Sequence, residues 1–312
     1  MELFNPNSNI DFLGGRKASI AISVVLMLVS IGLIATRGLN YALDFTGGVL
    51  VEAQYEQPVE IDQVRAALET GGFHNAQVQS LGGTRDVSIR LQPQEDQKNA
   101  DKVATDVVAA LKAQRVDVTM KRHDFVGPQV GAELRNDGLV AAVFVMIGIM
   151  IYIGIRFEKR FAIAAIASEI HDTILTLGFF ALTHMEFDLT VLAALLAVIG
   201  YSINDKVVVF DRVRELFRLT RKADSYTILN KAINQTLSRT IMTSLTTALA
   251  MFALYFFGGP AVHGFGLTML VGIVIGTLSS IFFANPILYW LGVSKVDLMP
   301  VTKENPELAR RP

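Results

Sequence analysis

The stretch that decides the fold runs from Leu189 to Phe210 and reads Leu-Thr-Val-Leu-Ala-Ala-Leu-Leu-Ala-Val-Ile-Gly-Tyr-Ser-Ile-Asn-Asp-Lys-Val-Val-Val-Phe. As a helix it is long enough to cross a bilayer, because ~20 residues rising 1.5 Å each span about 30 Å of hydrocarbon. Inside it sit Asn204, Asp205 and Lys206. A formal charge at membrane depth costs several kcal/mol, so an ionisable residue in such a run marks a functional site by default. Asp205 therefore ranks first among the candidate residues.

Similar runs lie on both sides. Ala18 to Thr36, Leu139 to Ile155, Ile241 to Phe257 and Phe265 to Ala284 carry no charge, and Phe161 to Leu182 has comparable length but contains Glu169, His171 and Asp172. The expected fold is a membrane protein with a six-helix transmembrane bundle. Composition agrees: 51% of the 312 residues are hydrophobic and 18% charged, against about a quarter charged in an ordinary soluble protein. Mean hydropathy is +0.41. The first run exceeds the about 7–15 apolar residues of a signal peptide and lacks a good small-x-small site after it, so it is expected to stay as an anchor. There is no cysteine and hence no disulfide. A net charge of −1 without a long basic run argues against nucleic acid as a partner.

Orientation follows from Lys and Arg near the span ends. Arg16 and Lys17 precede the first run, Arg156, Lys159 and Arg160 separate the second and third, and Arg212, Arg214, Arg218, Arg221, Lys222 and Lys231 follow the fourth. Thr183 to Asp188 and Gly258 to Gly264 hold neither. The expected layout is a cytoplasmic N-terminus 1–17, a first span 18–36, an external domain 37–137, spans two to six within 138–290 with a cytoplasmic loop 211–238, and a cytoplasmic tail 291–312.

The external segment reads as a small α+β domain. Val49 to Tyr55 alternates as a strand does, and Ile61, Val64, Ala67 and Leu68 repeat at helical spacing before Gly71-Gly72. Ala76 to Leu81 and Val87 to Leu91 alternate across Gly82-Gly83-Thr84 as a hairpin; a second helix is expected from about Gln94, with Val103, Val107, Ala110 and Leu111 on one face; Val116 to Met120 supplies a last strand. The order βαββαβ is that of a ferredoxin-like unit. His74 and His123 have no Cys, Asp or Glu at metal-ligand spacing, so they read as surface or structural, and no metal site is expected. Exposed strand edges or grooves make binding the better role for the domain.

Within the spans the polar and small residues form stripes. Ala165, Glu169, Asp172 and Thr176 share one face of the third; Ala193, Ala197, Gly200 and Asn204 share one face of the fourth, with Asp205 one residue round. Arg239, Thr243, Thr246 and Ala250 align on the fifth, and Gly272, Gly276 and Ser279 on the sixth. Small residues let helices approach and polar ones hydrogen-bond across the contact, so all four faces are expected to point into the bundle. For the Gly and Ser stripes plain packing is the favoured reading. Glu169 and Arg239 have the option of snorkelling to the interface, and Lys206, about 100° round from Asp205, is expected to face the interface or a partner.

Together these residues carry a resemblance. Asp44-Phe45-Thr46-Gly47-Gly48 after the first span, Glu169-Ile170-His171-Asp172 in the third, Gly200 to Asp205 running on to Asp211-Arg212-Val213-Arg214-Glu215, Ser238-Arg239-Thr240 and Phe257-Gly258-Gly259-Pro260 resemble, in order and over nearly the whole chain, the SecF family of protein-export membrane proteins. Lys206 departs from the small hydroxyl residue expected after Asn-Asp. The resemblance implies a bundle like half of a resistance-nodulation-division transporter in the bacterial cytoplasmic membrane. It implies SecD as partner, association with the SecY/SecE/SecG translocon and with translocating preproteins, and use of the proton-motive force. It assigns Asp205 and Arg239 to the proton-coupled site, with Asn204, Glu169, His171 and Asp172 as supporting intramembrane polar residues. Asp44 to Gly48 become the junction, or hinge, between membrane and external domain. Physically, a carboxylate that moves toward and away from a permanent guanidinium charge can load and release a proton. Gly258-Gly259-Pro260 reads equally as a plain tight turn.

Three classes of function compete. An export subunit leads; a proton-coupled small-solute exporter of the same superfamily is the alternative, and would need its own substrate cavity. An intramembrane enzyme is disfavoured because no Gly-x-Ser-x-Gly, His-Glu-x-x-His or paired catalytic Asp motif occurs, so neither a catalytic residue nor a cofactor is expected.

Overall fold

Among the described residues, six helices are long and apolar enough to cross a membrane. The computed structural model describes residues 9–74, 76–81, 83–92, 100–220 and 224–294. In chain order the elements are α1 (Arg16–Arg37), β1 (Asn40–Tyr41), α2 (Leu43–Thr46), β2 (Gly48–Tyr55), α3 (Ile61–Thr70), β3 (Gln77–Ser80), β4 (Asp86–Leu91), α4 (Ala100–Gln114), β5 (Val118–Val126), α5 (Pro128–Arg156), α6 (Lys159–Thr183), β6 (Glu186–Phe187), α7 (Leu189–Leu219), α8 (Ser225–Phe257), α9 (Pro260–Ser279), a π-helical turn Ser280–Ala284 and α10 (Asn285–Trp290).

The chain divides into two units. One holds residues 1–39, 143–185 and 193–312; the other holds 40–142 and 186–192. In the second unit the sheet order is β3-β4-β2-β5, all antiparallel. Counting only the strands of this sheet, that is the fourth beside the first, then the third, then the second, which is the ferredoxin-like arrangement expected from the βαββαβ order. Alternation explains its core: Val49, Val51, Ala53 and Tyr55 turn one way from β2 and bury against Val64 and Leu68 of α3 and Val107 and Leu111 of α4. The last strand is longer than expected, running to Val126 and passing a register shift opposite Glu52 and Ala53. The expected start of the second helix near Gln94 and the turn residue Gly82 lie outside the described residues.

A two-stranded parallel pair was not expected. β1 pairs with β6, Asn40 opposite Glu186 and Tyr41 opposite Phe187. Arg90 ties it to the larger sheet, with its guanidinium 2.5 Å from Glu186 and donating to the Tyr41 carbonyl at 2.9 Å. Phe45 packs against both Tyr41 and Phe187.

In the first unit, Phe157 and Phe161 pack with Phe210, and Leu229 and Ile233 of α8 fill the same core. The expected loop 211–238 is corrected: α7 continues to Leu219 and α8 starts at Ser225, so most of that segment is helix. Val213, Leu216 and Phe217 are buried, and this apolar spacing beyond the span is what extends α7. Arg221 and Lys222 of that segment, and most of the tail 291–312, lie outside the described residues.

Two of the four stripes point as expected. Ala165, Glu169, Asp172 and Thr176 are buried on α6, and Gly272, Gly276 and Ser279 are buried on α9. A Cβ on Gly272 would lie 2.2 Å from Val198, so the side chain is missing where α9 meets α7. The other two stripes are corrected. Ala193, Ala197, Gly200 and Asn204 are exposed on α7, as are Arg239, Thr246 and Ala250 on α8, with Thr243 half-buried.

Candidate functional site

Glu169, His171, Asp172 and Lys206 gather where α6, α7 and α9 meet. Glu169 and Asp172, three residues apart, share one face of α6, and Ser202 and Lys206, four apart, share one face of α7. Lys206 is wholly buried, with Glu169 and Asp172 each 1% exposed. Its Nζ donates to Glu169 Oε1 at 2.5 Å, Asp172 Oδ2 at 2.7 Å and Ser202 Oγ at 2.7 Å. An ammonium has three protons, and here each has an acceptor. The expectation that Lys206 faces the interface or a partner is therefore corrected, and so is the snorkelling option for Glu169. Two carboxylates on the adjacent helix attract the charge, and a buried ammonium needs them.

Asp172 is the hub. Its Oδ2 also accepts from Ser202 Oγ at 2.6 Å and Ser279 Oγ at 2.7 Å, while Oδ1 lies 2.8 Å from His171 Nδ1. The α9 approach that brings Ser279 in depends on Gly276, where a Cβ would stand 2.6 Å from Ser202 Oγ. His171 stacks on Phe283 of the π turn, ring centroids 4.1 Å apart. Two buried atoms of the cluster, Glu169 Oε2 and His171 Nε2, have no hydrogen-bond partner among the described residues.

Asp205 points the other way round α7. It is 3% exposed and is hydrogen-bonded by the hydroxyls of Ser244 and Thr243 on α8, with Lys206 and Arg239 acting on it electrostatically. Ser244 continues to Thr277 of α9 at 2.7 Å. No ion pair within 4.0 Å joins Asp205 to Arg239 among the described residues. Arg239 and Asn204 are both exposed, so the two residues expected to form the proton-coupled site lie on opposite sides of the chain's own packing boundary.

At the start of the second unit, Asp44 to Gly48 form a packed clasp. Asp44 Oδ2 accepts the backbone N–H of Leu189 at 3.1 Å, capping the first turn of α7. Phe45 is buried, and Thr46 Oγ1 donates to the Ala42 carbonyl at 3.2 Å. Gly47 and Gly48 have φ of 69° and 124°. A Cβ on Gly48 would fall 2.2 Å from the Leu91 carbonyl oxygen, and one on Gly47 2.9 Å from Pro128 Cα. Glycine is needed here for close backbone approach as much as for its dihedral freedom.

A family model described as "Protein export membrane protein SecD/SecF, C-terminal" matches residues 106–294, and one described as "SecD/SecF GG Motif" matches 32–59. The chain is 46% identical over 291 residues to the protein translocase subunit SecF of Pseudomonas aeruginosa, covering 93% of this chain and 94% of that protein. The chain belongs to the SecF family. SecF of Vibrio alginolyticus is 41% identical over 314 residues, covering all of this chain and 99% of the relative. Among solved structures, the crystal structure of SecDF, a translocon-associated membrane protein from Thermus thermophilus, superposes with a TM-score of 0.83 at 34% identity. That match covers 93% of this SecF-family chain and 40% of the SecDF chain.

Within this SecF-family chain, sequence reasoning singled out Glu169, His171 and Asp172, which the structure buries together, and missed Lys206, Ser202 and Ser279 as their partners. A signal was present: Lys206 lies four residues after Ser202 in a largely apolar run, the third run carries a stripe of two acids, and a buried cation needs an anion on a neighbouring helix.

Proposed function

We propose that this chain is a SecF-type subunit of the Sec protein-export machinery, working with SecD in the bacterial cytoplasmic membrane to promote protein translocation at the expense of the proton-motive force. The observation that carries the reading is the near end-to-end similarity to curated SecF subunits. Both termini lie in the cytoplasm in this reading, because Lys and Arg crowd the loops on that side. It acts without turnover chemistry of its own.

Support for proton coupling comes from the bundle. Asp205 is a buried carboxylate surrounded by hydroxyls, and Arg239 is a permanent charge on an open intramembrane face together with Asn204 and Thr246. An open guanidinium at membrane depth is costly unless a second polypeptide covers it. SecD is that polypeptide in this reading, and movement of the two subunits would bring Arg239 toward Asp205 or away from it. The SecY/SecE/SecG channel and the emerging preprotein are the further partners, the latter meeting the external domain.

Depletion of the chain followed by measurement of stalled precursor tests the reading. Exported precursors should accumulate, and a SecD-like protein should co-purify with the chain. Normal export after verified depletion, or purification without such a partner, would count against it.

A further inference from the structure

A cavity of about 670 Å³ lies between α1 and the α9 end of the bundle, bordered by Ser19 and Ser23 of α1, Ser279 of α9, Phe283 of the π turn and, at one end, Asp11. His171 reaches it from α6. Its ring is 3% exposed, and Nε2 has no partner. Because an ionised Asp172 can only accept, the 2.8 Å contact places the ring proton on Nδ1 and leaves the lone pair on Nε2, the atom without a partner. A single-turn π bulge, a feature that recurs at functional sites, holds Phe283 against this ring.

We propose that His171 is the port through which a proton from this cavity reaches Asp172 and opens the Lys206 clasp between α6 and α7. The step balances simply. Nε2 takes a proton from a hydronium ion entering the cavity, which leaves water behind, and Nδ1 passes its own proton to Asp172 Oδ1. The imidazole is neutral again with its proton on Nε2, and Asp172 is neutral. A neutral Asp172 no longer holds the ammonium by charge, so Lys206 keeps only Glu169 as an ionic partner and α7 is freed on that side. After Asp172 releases its proton to the opposite side of the bundle, tautomer exchange of the imidazole restores the proton on Nδ1 and readies the port. From the elements packed around His171 the charged groups are Asp172 and Glu169 on its own helix, Lys206 on α7, and Asp11 before α1; α1 and α9 bring serines and hydrocarbon. This centre is separate from Asp205, which faces α8. The inference rests on the proton-coupled reading above.

The test uses the chain assembled with its SecD-like partner in liposomes carrying an internal pH dye, with an imposed membrane potential. His171→Asn keeps a donor for Asp172 but cannot relay, and should lower proton uptake by about tenfold or more. His171→Ala should do the same and recover with added imidazole, not with pyrrole, which fills the same space without titrating. Uptake at the wild-type rate in assembled His171→Asn, or equal recovery with pyrrole, would overturn the inference. Asp205→Asn separates the two readings: if it blocks uptake while His171→Asn does not, gradient coupling stands and the His171 port falls. A wild-type complex with no uptake would overturn both.

Discussion

Lys206 Nζ lies 2.5 Å from Glu169 Oε1, and neither side chain reaches the surface. This pair, with Asp172, binds α6 to α7 through charge and hydrogen bonds together. Removing one member of such a cluster leaves the rest buried and uncompensated.

Lys206→Met should therefore destabilise the bundle by about 3–5 kcal/mol, because two carboxylates lose their only ammonium. Adding Glu169→Gln and Asp172→Asn to Lys206→Met should recover much of the loss. Thermal unfolding of the purified chain in detergent, followed by tryptophan or circular-dichroism signal, measures both. A triple variant no more stable than the single one would contradict the charge account.

Asp205→Asn nearly preserves volume and keeps hydrogen bonding to Ser244 and Thr243 available. It should assemble normally and lose gradient-dependent release of precursor from vesicles. Wild-type release from the assembled variant would leave Asp205 as a packing residue.

In the external domain, the Arg115 guanidinium, 2.6 Å from Asp117 Oδ2, holds the Asp117 carboxyl below its ordinary value of 3.8. A carboxyl depressed in the folded state contributes stability above its unfolded value and loses it as pH falls through the folded one. Urea unfolding of residues 37–137, which should fold alone, ought to show a fall in stability below about pH 4 that Asp117→Asn reduces. A disordered circular-dichroism spectrum for this fragment would contradict an independent domain, and an unchanged acid slope would remove Asp117 from the account.

Gly48→Ala would place a methyl 2.2 Å from the Leu91 carbonyl oxygen at a φ of 124°. The loss should exceed the about 1 kcal/mol that a benign Gly→Ala change contributes by restricting the unfolded chain, since the backbone itself must shift. Asp44→Ala removes only the cap on Leu189, a cost of about 0.5–2 kcal/mol. Equal stability of Gly48→Ala and wild type in the same unfolding assay would show that the clasp is slack.

A reporter active only outside the cytoplasm should work when fused after Gln92 and stay silent after Lys222. The reverse pattern would invert the orientation.

The number of spans, the βαββαβ order of the domain and the identity of the ionisable residues followed from the sequence alone, because each rests on a local quantity. An uncharged run of bilayer length is visible without knowing its neighbours, and strand alternation between core and solvent repeats every second residue. The faces of the membrane helices were not legible in the same way. Lipid and bundle core are both apolar, so a helix between them has no hydrophobic contrast to orient it, and small-residue stripes fit a packed contact or an open one. That is why Gly272 and Gly276 turned inward as expected while Ala193, Ala197, Gly200 and Asn204 did not. The same lack of contrast hid Lys206: a step of about 100° along α7 decides whether a side chain meets α6 or α8, and only the packed bundle sets which helix stands there. Pairing of β1 with β6 joins segments 145 or more residues apart, and Asp44 caps α7 across a comparable separation, so neither leaves a local trace. Tertiary structure alone joined Glu169, Asp172, Ser202, Lys206 and Ser279 into one buried network, because hydrogen bonds at 2.5–2.8 Å depend on how three helices cross and not on any of them taken singly.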